Sequence, residues 1–161
     1  MIEKLQNNNI EVSNQIHSVF QLSYAVEAQL LNATDFPPLK RTLDSYLESD
    51  NMFFGYLENK ELAGIIEIKY DVDCTDINSL VVNPLFFRRG IAKQLLEFVF
   101  NRFDSKLFIV ETGVKNKPAT ELYKKLGFKE IKQWDTDFGI RKILFERRIE
   151  TKHKIAKNGY S

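Results

Sequence analysis

The sequence predicts an α/β (α+β) domain, a mixed and twisted central sheet of six to seven strands with helices on both faces. Three observations carry this. First, an apolar run at 77–82, an amphipathic stretch at 89–103 and a second apolar run at 106–111 form a strand-helix-strand unit, whose two strands must run parallel. Second, residues 52–57 and 62–70 alternate around the polar stretch Glu58-Asn-Lys-Glu61, as an antiparallel hairpin does. Third, 128–134 and 140–147 are two further strand-like runs separated by a turn near Asp137-Phe-Gly139.

Taken in order, residues 1–12 read as a short edge strand ended by the Asn7 to Asn9 turn signal. Ser13 then caps a helix with Ile16, Val19, Leu22, Val26 and Leu30 at helical spacing, ending near Asn32. Tyr24, Glu27 and Leu31 form a neighbouring stripe that lines a cleft or edges the core, the edge being favoured. Phe36-Pro-Pro38 breaks the helix, because neither proline donates a backbone hydrogen bond, and a second helix follows at 40–48. The crossover helix presents Ile91, Leu95, Phe98, Val99 and Phe103, and a short helix has Pro118 in its first turn and Gly127 as its stop. Residues 1–149 make a single domain, and the polar tail 150–161 is expected to fray.

Composition narrows the function. With 161 residues, 43% of them apolar, the chain has a globular composition and the length of one domain. A net charge of +1 without a basic helix gives no footprint for nucleic acid. The single cysteine, Cys74, forms no internal disulfide and has no partners at metal-ligand spacing, which suits a reducing cytoplasm and a site without metal. No apolar run approaches the ~20 residues that span a bilayer, so no membrane partner is expected.

The stretch 82–92, Val-Asn-Pro-Leu-Phe-Phe-Arg-Arg-Gly-Ile-Ala, turns from strand to helix. A helix start leaves N–H groups unpaired and carries partial positive charge, so phosphate suits it. Arg88 and Arg89 add donors, and Gly90 permits close approach. Downstream, Asn116-Lys-Pro-Ala-Thr-Glu-Leu-Tyr-Lys-Lys-Leu-Gly-Phe128 supplies a second motif. Together the two stretches resemble the acyl-CoA-binding motifs of the GNAT superfamily of N-acetyltransferases in order, spacing and strand context. The second motif matches at Asn116, Ala119, Leu122, Tyr123, Gly127 and Phe128. The first departs once, with Phe87 where the family has Arg or Gln.

The resemblance implies acetyl-CoA as cosubstrate and an amine, small-molecule or peptide, as acceptor. Residues Arg88, Arg89, Gly90, Ile91, Ala92 and Lys93 would hold the pyrophosphate, and the backbone of Leu80, Val81 and Val82 would pair with the pantetheine arm. Asn116, with Ala119 beside it, caps its own helix, reaches the acetyl end of CoA, or does both. Tyr123 would lie beside the CoA sulfur, where a phenol can protonate the departing thiolate. Glu67, a carboxylate in an otherwise apolar strand, is the first candidate for proton acceptor, against an ordinary paired role. Glu111 and Glu27 are alternatives. In many relatives the segment after the first helix covers the acceptor, which makes Tyr24, Glu27 and Phe36 candidate substrate contacts. No Ser or Cys stands with a His as a nucleophile, so direct attack in a ternary complex is expected over an acyl-enzyme. A monomer or homodimer is expected, and a non-catalytic acyl-CoA sensor is the competing class.

Overall fold

Among the described residues seven strands join edge to edge, the central ones burying apolar side chains while the strand at one edge stays exposed. The computed structural model describes residues 1–150, so most of the tail expected to fray lies outside the described residues. The strands are β1 (Ile2–Leu5), β2 (Met52–Glu58), β3 (Glu61–Lys69), β4 (Thr75–Val82), β5 (Leu107–Gly113), β6 (Lys129–Asp135) and β7 (Arg141–Arg148). Their order is β1-β2-β3-β4-β5-β7-β6, and only β4 and β5 run parallel. The crossover between these two is α3 (Ile91–Arg102), as the strand-helix-strand pattern requires.

Helices cover both faces. On one, α3 buries Ile91, Leu95, Leu96 and Val99 against Ile66, Ile68, Ile77 and Phe108. Full burial of such a side chain is worth about 1.5–3 kcal/mol, so this contact anchors the crossover. On the other face, α1 (Ile10–Leu30) and the short α2 (Leu43–Leu47) pack Ile16, Val19, Phe20 and Tyr46 onto Phe53, Ile65 and Val81. The third helix of the motif region, α4 (Lys117–Lys125), lays Tyr123 against Phe128 and Phe145. It ends as expected, with Gly127 at φ 88° and the Phe128 N–H closing back onto the Tyr123 carbonyl.

The first helix differs from its sequence reading in two ways. Its cap is Asn9, whose side chain accepts from the N–H groups of Glu11 and Val12; Ser13 lies inside the helix, buried, its hydroxyl donating to the Asn7 carbonyl. The helix starts four residues earlier, and of the expected stripe Ile16 and Val19 are buried and Val26 half-buried, but its C-terminal half turns a neighbouring stripe inward. Leu22 and Leu30 are exposed, while Ile16, Phe20, Ala28 and Leu31 are buried, with Tyr24 and Glu27 half-buried on the same inward side. Amphipathic spacing admits both stripes, and the sheet surface beneath chose the one carrying a phenol and a carboxylate. The expected helix at 40–48 divides into a single 3-10 turn (Pro37–Lys40) and α2, because Thr42 caps afresh on the Ser45 N–H.

One irregularity positions everything that follows. In the β3–β4 ladder Glu67 faces Ser79 and Ile68 faces Ile77, which leaves Asn78 unpaired on β4. Such a bulge bends and further twists its strand. Parallel pairing with β5 accordingly covers only Thr75, Asp76 and Ile77 against Phe108, Ile109 and Val110. Beyond it β4 stays with β3, β5 stays with β7, and the two part.

Candidate active site

The gap so formed leaves one edge of the 79–82 segment without a strand partner, a row of backbone donors and acceptors of the kind that an extended ligand pairs with. Leu80, Val81 and Val82 lie on it. At its upper end Asn83 begins a tight turn, Pro84–Phe86, its side chain accepting from the Leu85 N–H, and the chain enters α3. Gly90 is the N-cap of α3 at φ 73°, and Arg88 also has positive φ, 65°. A Cβ at Gly90 would meet nothing within 4 Å, so the backbone there is open to a ligand. Gly90 thus ends the loop outside the helix, as a phosphate site at a helix start demands. Arg88 is exposed. Arg89 is ion-paired with Glu58 at 2.7 Å and stacks over Phe86. Lys93 faces Glu97 one turn on, and Phe87, in the position of the missing donor, is exposed.

Below the loop, three elements converge on the gap. From α1, the Tyr24 hydroxyl donates to Ser79 Oγ on β4 at 3.2 Å. One turn further, Glu27 Oε1 accepts from Asn116 Nδ2 at 3.0 Å and from the Thr112 hydroxyl at 3.3 Å. The helix therefore straddles the parted strands, tied to β4 by one residue and to β5 and α4 by the next. Asn116 does cap its own helix, Oδ1 accepting from the Ala119 N–H, and also holds Glu27. From α4 comes Tyr123, buried, its phenol pushed well up by burial and then by the charges of Glu27 and Tyr24. Tyr24 is shifted the same way, by burial first, with the Ser79 hydrogen bond partly offsetting it. Burial also raises the Glu27 carboxyl, against the lowering effect of Asn116, Thr112 and Lys142. Phe36 is buried beside Tyr24, with ring centroids 5.9 Å apart, and shares a small cluster with Leu31 and Ile140. Tyr24, Glu27 and Phe36 are thus brought together on one side of the gap.

Glu67 is placed differently from its reading as a free base. Only 1% exposed, it takes a bidentate pair from Arg41, 2.7 and 3.0 Å, and a third bond from Asn51 Nδ2 at 2.9 Å. Both oxygens are committed. Arg41 was missed in the sequence. Its guanidinium lies 4.1 Å from the Tyr46 ring centroid, also near Phe20 and Phe53, and clasps the α1–α2 segment to the sheet. Nothing in the spacing of Arg41 and Glu67 signals the pair. Glu111 is exposed and bonded to Lys142. Among the described residues no group of three or more His, Cys, Asp or Glu could hold a metal ion, and no helix is long and apolar enough to cross a membrane.

A parallel strand pair that parts at a bulge, with an open loop at the next helix start, defines an α/β sheet whose gap has the form an extended, phosphate-bearing cofactor would need. The GNAT acetyltransferase family model matches residues 16–128, and the chain belongs to that family. A 131-residue stretch is 32% identical to the UPF0157 protein YqkA of Bacillus subtilis, covering 81% of this chain and 38% of YqkA, so the chain spans little more than a third of that relative's length. It is 26% identical over 117 residues, 63% of this chain and 79% of the relative, to the ribosomal protein bS18-alanine N-acetyltransferase of Salmonella typhimurium. The fold is shared with the PaiA N-acetyltransferase of Thermoplasma acidophilum solved in complex with coenzyme A, with a TM-score of 0.69, 20% identity and coverage of 92% of this chain and 99% of that one.

Proposed function

We propose that this chain transfers an acetyl group from acetyl-CoA to a primary amine, by direct attack of the amine on the thioester within a ternary complex in the cytoplasm. The observation that carries the reading is the parted β4–β5 pair, with a pairing-competent strand edge on one side and the buried Tyr123 phenol on the other. The family membership and the CoA complex of a fold neighbour support the cosubstrate. Arg88, Arg89, Lys93 and the free N–H groups of Gly90, Ile91 and Ala92 would hold the pyrophosphate, and Leu80, Val81 and Val82 the pantetheine arm. Tyr123 remains protonated across the physiological range and would deliver its proton to the departing thiolate. The acceptor would enter from the α1 side, past Tyr24 and Phe36, as a small-molecule or peptide amine; the Salmonella relative's name specifies an alanine of ribosomal protein bS18.

Thiol release from acetyl-CoA, measured against a panel of small amines, amino acids and peptides, tests the reading. Release accelerated by an amine supports it. Tight acetyl-CoA binding without release by any amine would instead support a non-catalytic sensor, the reading that Phe87 in the donor position favours. Replacing Arg88 and Arg89 together by Ala is expected to weaken CoA tenfold or more, since each charge-assisted contact is worth about 1.5–3 kcal/mol. The ligand-free melting temperature should hardly move, because both side chains are exposed. Arg102→Ala, an exposed arginine away from the loop, is the control, and unchanged affinity by calorimetry would remove the phosphate assignment.

A further inference from the structure

We propose that Glu27 is the proton acceptor for the attacking amine, a role that rests on the acetyltransferase reading and deepens it. Four carboxylates come near the ladder that flanks the gap. Glu67 has both oxygens taken by Arg41 and Asn51. Glu111 points to solvent and Lys142. Asp76 sits where β4 and β5 are still paired, short of the gap. Glu27 alone stands over the parted strands, fixed to both sides through its own bonds and the Tyr24 turn before it. Both its donors, Asn116 Nδ2 and the Thr112 hydroxyl, engage Oε1, so Oε2 accepts neither bond and is left for an incoming N–H.

The donors are neutral, which suits a base. A guanidinium would favour the ionised, weakly basic form of a carboxylate; an amide and a hydroxyl orient it at smaller cost to basicity. The charged and titratable groups that face it are Lys142 from β7, itself bonded to Glu111, Tyr24 from its own helix and Tyr123 from α4. Burial dominates and raises its carboxyl above the usual 4.5.

The step balances. As the amine nitrogen bonds to the thioester carbon, its proton passes to Glu27 Oε2 and the carbonyl pair moves to oxygen. Collapse re-forms the carbonyl and breaks the carbon–sulfur bond. The thiolate takes its proton from Tyr123, and both side chains exchange with water to restore the starting state. An acid that gives and a carboxylate that receives are thus set on opposite elements, α4 and α1, at one gap.

The test uses the full chain, acetyl-CoA and the best amine of the panel. Glu27→Gln is expected to lower kcat by about 10²-fold, within the usual range for a lost general base, and to abolish the acid limb of the pH profile. Thr112→Val, which removes one donor to the carboxylate, is expected to move that limb to higher pH, whatever it does to the plateau value of kcat. The Gln variant's stability has a defined sign. A carboxyl raised in the fold contributes stability that is present below pH 4.5 and lost as pH rises through its folded value, so at neutral pH the ionised Glu27 is a net cost and Gln should melt at the same or a higher temperature. Near-normal activity with an unchanged acid limb in Glu27→Gln would overturn the proposal. So would a Gln variant that is inactive while Thr112→Val leaves the limb where it was, for then Glu27 only holds structure; that arm also decides the matter if Glu27→Gln fails to fold. A wild-type chain that releases no thiol with any amine would instead overturn the acetyltransferase reading itself, and this role with it.

Discussion

Tyr123→Phe is expected to reduce turnover by roughly 10²–10⁴-fold while leaving the dissociation constant for acetyl-CoA almost unchanged. Phe keeps the edge contacts with Phe128 and Phe145, at centroid separations of 5.5 and 5.8 Å, so the core loses no volume. What disappears is one proton donor. No side chain among the described residues hydrogen-bonds the Tyr123 phenol, so the substitution breaks no network, and folding stability should be equal or slightly higher. The same burial changes what a pH profile can reveal. With Tyr123 displaced upward from 10.0, its ionisation contributes no alkaline limb below about pH 10. The acid role is therefore read from the size of the kcat loss at constant acetyl-CoA affinity, and a thiol donor with a better leaving group should narrow that loss. Full activity in the Phe variant would sink the role.

The second large effect concerns stability. Arg41→Ala should destabilise the fold by about 3–5 kcal/mol, because it strands a carboxylate that is 1% exposed with Asn51 as its remaining partner. In a chain of this length that corresponds to a loss of roughly 10 °C or more in melting temperature. Arg41 also fills the space over Tyr46, whose hydroxyl is buried without a hydrogen-bond partner, so the Ala variant opens a cavity beside an already unsatisfied group. Arg41→Met combined with Glu67→Leu should recover most of the loss, since a buried ion pair is often replaceable by apolar side chains of similar size although neither charge can be removed alone. Thermal denaturation of Arg41→Met, Glu67→Leu and their combination makes the cycle. Additive losses would show that the two side chains act independently and that the clasp is not what holds the α1–α2 segment to the sheet.

The cofactor side of the site was legible in the sequence because it is local. An apolar run, a Pro-bearing turn, two arginines and a glycine before an amphipathic stretch state a strand, a turn and a helix start within about a dozen residues, and each piece follows from its own backbone preferences. The same holds for α4, whose Asn cap, early Pro and terminal Gly mark both ends. The parallel β4–β5 pair followed from the length of the crossover between them.

What the tertiary structure alone decided is the acceptor side. Arg41 meets Glu67 across 26 positions and Glu27 meets Asn116 across 89, separations that leave no periodicity to read. Whether a strand carboxylate is a base or an anchor depends on what lies opposite it, and at Glu67 that is a guanidinium carried in by a turn the sequence reading merged into a longer helix. The inward turning of Tyr24 and Glu27 had the same origin. Two adjacent stripes on α1 both satisfy helical spacing, and the choice between them was made by the cap at Asn9 and by the sheet surface onto which the helix packs. Local sequence fixes where a helix starts and stops, but the free energy that sets its rotation comes from burial against residues elsewhere in the chain.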